Sequence, residues 1–480
     1  MSAISERSAR PYIGGEWVEP SDGRLAEVIN PATEEPAGHV LLAAPADVDR
    51  AVRAARAAFD AGPWAASAPA ERAAILSRAG ELISERADLL AQTITAEVGS
   101  PRAIADWQPV AARLYLDWHA AQAATFPWEQ ERDGIRSALL VRRRPVGVVG
   151  AIVPWNFPLA LSFPKLAPAL LTGCSVVLKP PEETPLFGSL LAEAFEEAGL
   201  PPGVLNVVPA DREVSEELVR HPLVDKISFT GSTRAGRRIA ALCGEQIKRC
   251  SLELGGKSAA IVLPDADLGV VIPELAPNTM RNNGQTCTNA TRVLAHRDRY
   301  SEIVEALREE IGAFQIGDPA DPDVVIGPLV SGVQRARVEG YIAKGVREGA
   351  RLVLGGGRPE RDRGYFVEPT IFAEVDNRMT IAQEEIFGPV VAVIPYEHED
   401  DAVAIANGSR YGLSGSVWGP DAEHAKDIAR RIRSGNVAVN QHTLDPIGPF
   451  GGFKQSGLGR ENGIEGIEAY VELQTIPYVR

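Results

Sequence analysis

Residues 226–254 read KISFTGSTRAGRRIAALCGEQIKRCSLEL, and this stretch decides the predicted fold. It predicts a strand at 226–230, a helix at 234–242 and a strand at 249–254, because apolar and β-branched runs bracket a segment of helical periodicity. The alternation extends back at least to a β-branched run at 175–179. Strands that alternate with helices form parallel sheets covered by helices on both faces. We therefore predict an α/β fold.

Helical segments precede this sheet. Apolar spacing predicts helices at 46–59, 71–98 (two segments) and 102–122. In the last of these, the large apolar residues are predicted to be core rather than chemistry: Trp107, Leu114, Tyr115 and Trp118.

A second α/β unit is predicted after residue 263, where strands and helices alternate again. The chain then ends in an extended segment at 469–478, which can pair with the β-branched run at 137–144. Because an isolated pair of strands is marginally stable, we expect this pair to be covered by oligomerisation.

Composition limits the classes of function. The 480 residues include 49 basic and 64 acidic side chains, a formal net charge of −15, which argues against nucleic acid as a partner. The four cysteines form neither a C-x-x-C pair nor a zinc-like array, so no metal is predicted. Residues 1–15 lack the apolar segment of a signal peptide, and no stretch predicts a membrane span. These features favour a cytoplasmic protein with no membrane partner.

The segment 281–292, RNNGQTCTNATR, places Cys287 among small polar residues. A structural cysteine usually lies in an apolar run, whereas a reactive one needs access and nearby dipoles that favour the thiolate. A lone cysteine in a loop is more often inert. The assignment of Cys287 as a nucleophile therefore depends on partners elsewhere in the chain.

Three segments offer such partners. Asn156 lies in a turn stiffened by prolines and offers amide donors that suit an oxyanion, although a turn asparagine more often satisfies local backbone. Glu253 ends a strand before two glycines and can act as a general base, with a salt bridge to Lys257 as the alternative. In the segment 384–389, Glu385 and Phe387 can hold a ribose and pack near a nicotinamide, or simply form a helix end.

Two further segments favour a dinucleotide. Lys179 and Glu182 follow a strand and can grip a ribose diol; the acid repels a 2′-phosphate and so favours NAD over NADP. The alternative is a weak exposed ion pair. The turn 229–236, FTGSTRAG, lacks the middle glycine of G-x-G-x-x-G, but it still directs a helix N-terminus toward a pyrophosphate. A plain strand-to-helix turn explains it equally well.

Together these motifs resemble the aldehyde dehydrogenase superfamily, NAD(P)-dependent and non-acylating. The resemblance covers nearly the whole chain and rests on seven motifs in order. They are PWNFP (154–158), KPPEETP (179–185), FTGSTRAG (229–236), LELGGK (252–257), GQTCTN (284–289), EEIFGP (384–389) and PFGGFKQSG (449–457).

The resemblance implies a Rossmann-like NAD-binding domain at 1–123 and 145–254 and a second α/β catalytic domain at 255–450. It also implies a small β oligomerisation arm at 124–144 and 451–480, in a homodimer or homotetramer. Cys287 would attack the aldehyde, Asn156 would hold the oxyanion, and Glu253 would activate water to hydrolyse the thioester. Lys165 would support them.

By the same matching, a further set of residues would line the cofactor site and the substrate pocket. The cofactor residues are Ile152, Val153, Trp155, Lys179, Glu182, Thr230, Gly231, Ser232, Leu254, Gln334, Glu385 and Phe387. The substrate-pocket residues are Phe157, Leu161, Thr286, Thr288 and Phe450.

Two departures from the family pattern bear on specificity. Ala210 stands where many relatives have glycine and would narrow the pyrophosphate approach. Pro164 replaces a large aromatic residue of several relatives, which predicts a roomy apolar pocket for medium-chain aliphatic, terpenoid or aromatic aldehydes rather than small charged semialdehydes. Three alternatives stay open: a coenzyme A-acylating relative, a catalytically silent structural relative, and a cysteine-dependent esterase.

Overall fold

The structure, a computed structural model, describes residues 8–442, 445 and 447–479. Its strands and helices follow the chain in the order given below.

The strands are β1 (Ser8–Ala9), β2 (Tyr12–Ile13), β3 (Glu16–Trp17), β4 (Leu25–Asn30), β5 (Glu35–Leu41), β6 (Glu129–Asp133), β7 (Ala138–Pro145), β8 (Val148–Ile152), β9 (Ser175–Lys179), β10 (Leu205–Val207), β11 (Lys226–Thr230), β12 (Arg249–Glu253), β13 (Ala259–Val262), β14 (Arg292–His296), β15 (Arg351–Leu354), β16 (Thr370–Ala373), β17 (Val390–Tyr396), β18 (Gly415–Trp418), β19 (Ala438–Val439), β20 (Gly457–Leu458) and β21 (Val471–Tyr478).

The helices are α1 (Pro45–Asp60), α2 (Pro69–Glu85), α3 (Ala87–Val98), α4 (Arg102–Gln122), α5 (Phe163–Thr172), α6 (Leu186–Glu197), α7 (Arg212–Arg220), α8 (Thr233–Glu245), α9 (Leu268–Met280), α10 (Tyr300–Gly312), α11 (Gly332–Arg347), α12 (Thr380–Gln383), α13 (Glu399–Asn407), α14 (Ala422–Ala429) and α15 (Gly463–Glu468).

The first large sheet has the strand order β20-β12-β11-β8-β9-β10-β2-β3. Strands β12, β11, β8, β9 and β10 run parallel. Numbered along the chain, these five strands have the order 5-4-1-2-3, which is the Rossmann arrangement. Helices cover both faces, and the strand interiors are continuously buried, as expected of a parallel sheet. The predicted α/β fold with a Rossmann-like sheet is therefore confirmed.

The second large sheet has the order β15-β16-β17-β14-β13-β18-β19 and is parallel apart from β15. Strand β20, from the glycine-rich segment near the C-terminus, pairs with β12 of the first sheet. The C-terminal segment thus joins the edge of the first sheet before it continues to β21.

The end of the chain forms an antiparallel three-stranded sheet, β21-β7-β6. Strand β21 pairs with β7 along its whole length, from Val471 opposite Pro145 to Tyr478 opposite Ala138. Leu473 and Ile476 on β21 expose large apolar side chains. The predicted pairing of the two segments is therefore present.

Several elements were missed or misjudged from the sequence. The prediction that Trp107 and Leu114 are core was wrong, because 40% and 51% of their surfaces are exposed. Helix α5 was not predicted; it begins with Pro164 in its first turn and contains Pro168, which obscures its helical pattern. Among the described residues, no helix is long and apolar enough to cross a bilayer.

Candidate active site

Cys287 follows α9 in the loop that leads to β14, and its side chain is half-buried. The pKa of its thiol is raised to about 12, chiefly by burial and also by the carboxylates of Glu385 and Glu253, while the backbone N–H groups of Cys287 and Thr288 oppose the shift. The thiol therefore lies within electrostatic reach of both acids that the sequence identified. Without a nearby positive charge it is protonated at neutral pH.

Asn156 is buried and its amide is fixed beside the nucleophile loop. Its Nδ2 donates to the backbone oxygen of Gln285 at 2.8 Å, two residues before Cys287. Its own backbone oxygen accepts from Asn282 Nδ2 at 2.9 Å. These two bonds bind the PWNFP turn to the Cys287 loop, which leaves the second amide N–H of Asn156 free to meet an oxyanion.

Glu253 ends β12 and is buried with no well-formed hydrogen bond to either carboxylate oxygen among the described residues. Burial raises its pKa well above the usual range, the charge of Glu461 adds to this, and Lys165, Arg460 and the Gly452 backbone partly oppose it. A Cβ at Gly451 would lie 2.8 Å from Glu253 Oε1. The salt bridge with Lys257, which was the alternative interpretation, does not form, so the carboxyl group is available as a base.

Lys165, on α5, is fully buried and donates from Nζ to Thr230 Oγ1 and to Glu461 Oε1, both at 2.6 Å. Glu461 also accepts from Ser228 at 3.4 Å. Sequence analysis missed Glu461, which lies outside the seven motifs. Its backbone pairs in both directions with Phe450 at 2.7 Å, so the PFGG segment brings this acid to the site.

The predicted cofactor residues gather at the carboxyl ends of the parallel strands. Ile152 ends β8 and is followed by Val153, Thr230 ends β11, and Leu254 follows β12. These strands are neighbours, and the strand order reverses between β8 and β11. A crevice at such a reversal is where open α/β sheets bind ligands.

Beyond β11, Gly231 and Ser232 lead into helix α8. The hydroxyl of Ser232 caps the helix by accepting from the Ala235 N–H at 3.3 Å. A Cβ at Gly231 would lie 2.5 Å from the Phe229 ring, so a larger residue in this turn would require that ring to move. The turn therefore holds the N-terminus of α8 against the end of the sheet, where a phosphate binds favourably.

Lys179 ends β9 and is 8% exposed. Burial lowers its pKa to about 8, although Glu183, Glu182 and Asp211 oppose this shift. Its ammonium has no hydrogen bond or ion pair within the described part of the chain. The ion partner of Glu182 is instead Arg24, at 3.8 Å, which also pairs with Asp211 at 2.9 Å. An unpartnered buried cation beside an exposed acid fits a ribose diol.

Glu385, predicted to hold a second ribose, is fixed by the backbone, since its Oε1 accepts from the Gly256 N–H at 3.0 Å. Arg337 of α11 donates to the Glu385 backbone oxygen at 2.7 Å. On the first turn of the same helix, Gln334 has a buried Oε1 with no partner among the described residues. An orphaned amide oxygen and a fixed carboxylate here again match a hydroxyl-rich ligand.

The two glycines of the LELGGK segment let the Cys287 loop and the Glu385 side chain lie close to the chain that follows β12. A Cβ at Gly256 would lie 2.2 Å from the Cys287 carbonyl oxygen, and one at Gly255 would lie 2.3 Å from Glu385 Oε2. Phe387 has a φ of +63° and meets Trp155 edge to face, with ring centroids 5.3 Å apart. The structure therefore joins the EEIFGP and PWNFP segments around the cysteine loop.

The predicted substrate residues lie on the other side of this loop. Phe157 packs with Ala111 of α4 and Ala160, and Leu161 lies against the same cluster. Thr288 is buried, and the Thr286 hydroxyl donates to the Arg281 backbone oxygen at 3.0 Å. Phe450 is placed by its backbone pairing with Glu461.

Arg281 and His442 also belong to this region and were missed as site residues. The Arg281 guanidinium lies over the rings of Trp107 (5.1 Å) and Phe157 (5.8 Å), and burial lowers its pKa. His442 has two buried ring nitrogens with no well-formed partner among the described residues. Arg281 is the first residue of the cysteine segment 281–292, and this position is the sequence signal that could have pointed to it.

The two residues that depart from the family pattern, Ala210 and Pro164, are both buried. Ala210 is fully buried in the core that β8 and β12 share, and Pro164 is buried in α5. Within the described residues, no group of three or more His, Cys, Asp or Glu side chains is arranged to hold a metal ion.

Known proteins match this chain over nearly its whole length. The family model described as "Aldehyde dehydrogenase family" matches residues 17–476. Geranial dehydrogenase of Castellaniella defragrans is 48% identical over 467 residues, 97% of this chain and 98% of that protein.

Solved structures agree. A Mycobacterium tuberculosis aldehyde dehydrogenase complexed with NAD+ has a TM-score of 0.97 and 50% identity, covering 99% of each chain. A Pseudomonas syringae aldehyde dehydrogenase C, with a cysteine-to-alanine mutation and complexed with NAD+ and octanal, has a TM-score of 0.95 and 42% identity. That match covers 98% of this chain and 96% of the other.

Proposed function

This chain belongs to the aldehyde dehydrogenase family and is an NAD-dependent enzyme of it; from that premise we propose how its residues oxidise an aldehyde to a carboxylic acid. The observation that carries the proposal is the joint placement of Cys287, Asn156 and Glu253. The thiol, an amide donor and an unpaired carboxyl group share one site.

Cys287 is the nucleophile. Its thiolate attacks the aldehyde carbon and forms a C–S bond, and the carbonyl oxygen becomes an alkoxide. The free N–H of Asn156 and the backbone N–H of Cys287 stabilise this charge, since preorganised donors in a buried site act strongly on a developing oxyanion. Bound NAD would supply the acceptor for the hydride that leaves this carbon. The product on Cys287 is a thioester.

Glu253 completes the reaction. Its carboxylate removes a proton from water, the resulting hydroxide adds to the thioester carbon, and the C–S bond breaks to release the acid and the thiolate. The raised pKa of Glu253 suits a general base. Once the carboxylate is ionised, its higher basicity lets it remove a proton from water more readily. Lys165 and Glu461 tune that pKa from opposite directions.

The cofactor would be held by the strand-end groups described above. Lys179 and Glu182 would bind one ribose, and Glu385 with Gln334 the other. The N-terminus of α8 would face the pyrophosphate, and Trp155 and Phe387 would pack beside the nicotinamide. Ile152, Val153 and Leu254 would form the apolar walls of this crevice.

The substrate would be an aldehyde with a largely apolar body: medium-chain aliphatic, terpenoid or aromatic. Support comes from the apolar cluster around Phe157 and Leu161, which lies between α4 and the cysteine loop. Thr286, Thr288 and Phe450 would complete the pocket. Exposed Val110 and Leu114 on α4 extend the apolar surface outward.

The chain would divide into an NAD-binding domain (1–123 and 145–254), a catalytic domain (255–450) and an oligomerisation arm (124–144 and 451–480). The exposed apolar side chains of β21 favour a homodimer or homotetramer built on this arm. Light scattering of the intact chain, compared with a variant that carries Leu473→Lys and Ile476→Lys, tests the arm.

Single-turnover kinetics test the mechanism. With octanal and NAD, Cys287→Ala should form no NADH, while Glu253→Gln should release a burst of about one NADH per subunit and then stall with the thioester intact. Addition of coenzyme A should not accelerate the wild-type enzyme. Unchanged NADH formation by Cys287→Ala would overturn the assignment, and strict dependence on coenzyme A would replace hydrolysis with acyl transfer.

A further inference from the structure

Two cysteines lie side by side at the turn that joins helix α8 to strand β12. Cys243 belongs to the last turn of α8, Cys250 is the second residue of β12, and the Cys243 thiol donates a hydrogen bond to the Cys250 sulfur. Both side chains pack in the same apolar cluster on the α8 face of the first sheet. Neither thiol takes part in the proposed chemistry of Cys287.

The turn between the two cysteines holds them in contact. The Lys248 N–H donates to the Cys243 backbone oxygen at 2.8 Å, and the Ile247 N–H donates to the Gly244 oxygen at 3.2 Å. Ile247 has a φ of +55°, a left-handed conformation that β-branched residues rarely adopt. This strained reversal brings the cysteines together, and a cross-link between them would close only a short loop, at a small cost in chain entropy.

The two thiols differ in access and in charge. Cys250 is partly exposed, whereas Cys243 is 1% exposed. The hydrogen bond from Cys243 and the charge of Lys226 lower the pKa of Cys250 to about 7, although burial opposes this shift. The same bond, together with burial, raises the pKa of Cys243. An accessible and partly ionised thiol beside a buried, protonated one is the arrangement of a peroxide-reactive cysteine and its resolving partner.

We propose that Cys243 and Cys250 are a redox-active pair that a hydroperoxide oxidises to a reversible disulfide. The Cys250 thiolate attacks one peroxide oxygen, the O–O bond breaks, and the sulfur becomes a sulfenic acid as hydroxide or alkoxide leaves. The Cys243 sulfur then attacks the Cys250 sulfur. An S–S bond forms, and the sulfenic oxygen leaves as water with the Cys243 proton. Two thiols and one hydroperoxide thus yield one disulfide, one water and a second water or an alcohol.

The pair lies on the face of β12 that turns away from the catalytic carboxylate. Cys250 and Leu252 pack in the α8 cluster, whereas Ser251 and Glu253 point to the opposite side, because side chains alternate along a strand. On that side the Ser251 hydroxyl accepts from the buried Lys226 Nζ at 2.7 Å. A cross-link on the α8 face therefore leaves Glu253 in place. The inference is independent of the proposed function, since disulfide formation is measured without an aldehyde.

Peptide mass spectrometry of the intact wild-type enzyme tests the pair. Trypsin cleaves between the cysteines, after Lys248 and Arg249, so a disulfide would join the peptides 239–248 and 250–257. After treatment with H2O2 at pH 7 and alkylation of the unreacted thiols, the linked peptides should appear at least about tenfold faster than oxidised Cys287, because only the thiolate reacts. Dithiothreitol should restore the two free peptides, and the rate of NADH formation with octanal should be the same before and after linkage.

Three variants identify the role of each thiol. Cys250→Ala should form no linked peptides. Cys243→Ala should instead accumulate a sulfenic acid at Cys250 that dimedone traps, because the resolving partner is absent. Cys174→Ala is the matched control, since Cys174 is fully buried and donates to the Tyr470 backbone oxygen at 3.6 Å. It should form the linked peptides at the wild-type rate.

The wild-type measurement decides the proposal even if a variant folds poorly. Absence of the linked peptides, oxidation of Cys287 before Cys250, or linkage of Cys250 to another subunit would overturn it. Linked peptides in an enzyme that forms no NADH from any aldehyde would leave the redox pair standing and remove the proposed function.

Discussion

The Lys165 ammonium lies 2.6 Å from Glu461 Oε1, and the two buried side chains act on Glu253 with opposite sign. Because Glu253 must be ionised to activate water, its activity rises as pH passes its pKa. Lys165→Met removes a charge that lowers this pKa, so the acidic limb of the pH–kcat profile should move to higher pH. Glu461→Gln removes a charge that raises it, so the limb should move to lower pH.

The same pair is expected to matter for stability. Lys165→Met leaves Glu461 buried and unpaired, which should lower the free energy of unfolding by about 3–5 kcal/mol, measured by urea denaturation. The double variant Lys165→Met/Glu461→Gln should recover part of this loss. Glu468→Gln, on the exposed face of α15, is the control.

For the pH–kcat profiles, a shift of the Lys165→Met and Glu461→Gln variants in the same direction would show that neither charge acts through Glu253.

A second prediction concerns thiol reactivity without cofactor. Burial and two acids raise the pKa of Cys287, whereas a hydrogen bond from Cys243 lowers the pKa of Cys250 to about 7, and Cys250 is half-exposed. Since only the thiolate reacts, iodoacetamide at pH 7 should label Cys250 before Cys287. Peptide mass spectrometry over time measures both rates.

Glu385→Gln should accelerate labelling of Cys287 by about tenfold for each unit by which its pKa falls. Cys250 lies away from Glu385 and serves as the internal control. Equal acceleration at both thiols would indicate general loosening of the fold. Faster labelling of Cys287 than of Cys250 in the wild-type enzyme would contradict the prediction.

The sequence predicted the strands of the first sheet well, because buried parallel strands are short apolar runs with few alternatives. Cys287, Asn156 and Glu253 could be singled out as candidates for a related reason: each lies at or after the end of a strand or helix, in a glycine- or proline-containing segment. These three residues come together because of the order of the strands in the sheet. The sequence indicates that order only through the alternation of strands with helices.

Long-range partners could not be predicted in the same way. Glu461 reaches Lys165 across 296 positions, and nothing local distinguishes this acid from an exposed one. The misjudged Trp107 shows the reverse error: helical spacing predicted a core face, but part of that face of α4 borders the substrate region and solvent. An apolar stripe does not reveal whether protein or ligand covers it.

Cofactor choice gives a third prediction. Glu182 is 44% exposed and is one of three acids, with Glu183 and Asp211, whose charges act on the buried Lys179. Glu182→Ala should lower the ratio of kcat/KM for NAD to that for NADP by about tenfold to hundredfold, since it removes a repulsion of the 2′-phosphate and leaves Arg24 available to it. Glu183→Ala is a matched control with the same charge one residue away. An equal effect of both variants would assign the preference to general charge rather than to Glu182.

The fourth prediction concerns Lys257, whose Nζ is buried with no hydrogen bond among the described residues. Its pKa is lowered to about 7, chiefly by burial and also by the charge of Arg292, while Glu385 opposes the shift. Between this value and the ordinary lysine value of about 10.4, the unfolded chain binds a proton that the folded chain does not. Stability due to this residue therefore rises with pH across that window, and the penalty is full at lower pH.

Lys257→Met has similar size and no charge, so it should raise the free energy of unfolding at pH 7 by about 1–3 kcal/mol. Because deprotonation relieves the wild-type penalty, the difference between the two proteins should shrink as pH rises from 7 to about 10. Urea denaturation at several pH values measures it. Lys426→Met, at an exposed surface pair with Glu423, should change stability by less than about 1 kcal/mol at every pH. A destabilised Lys257→Met at pH 7 would show that its ammonium is paired in solution, most directly with Glu385.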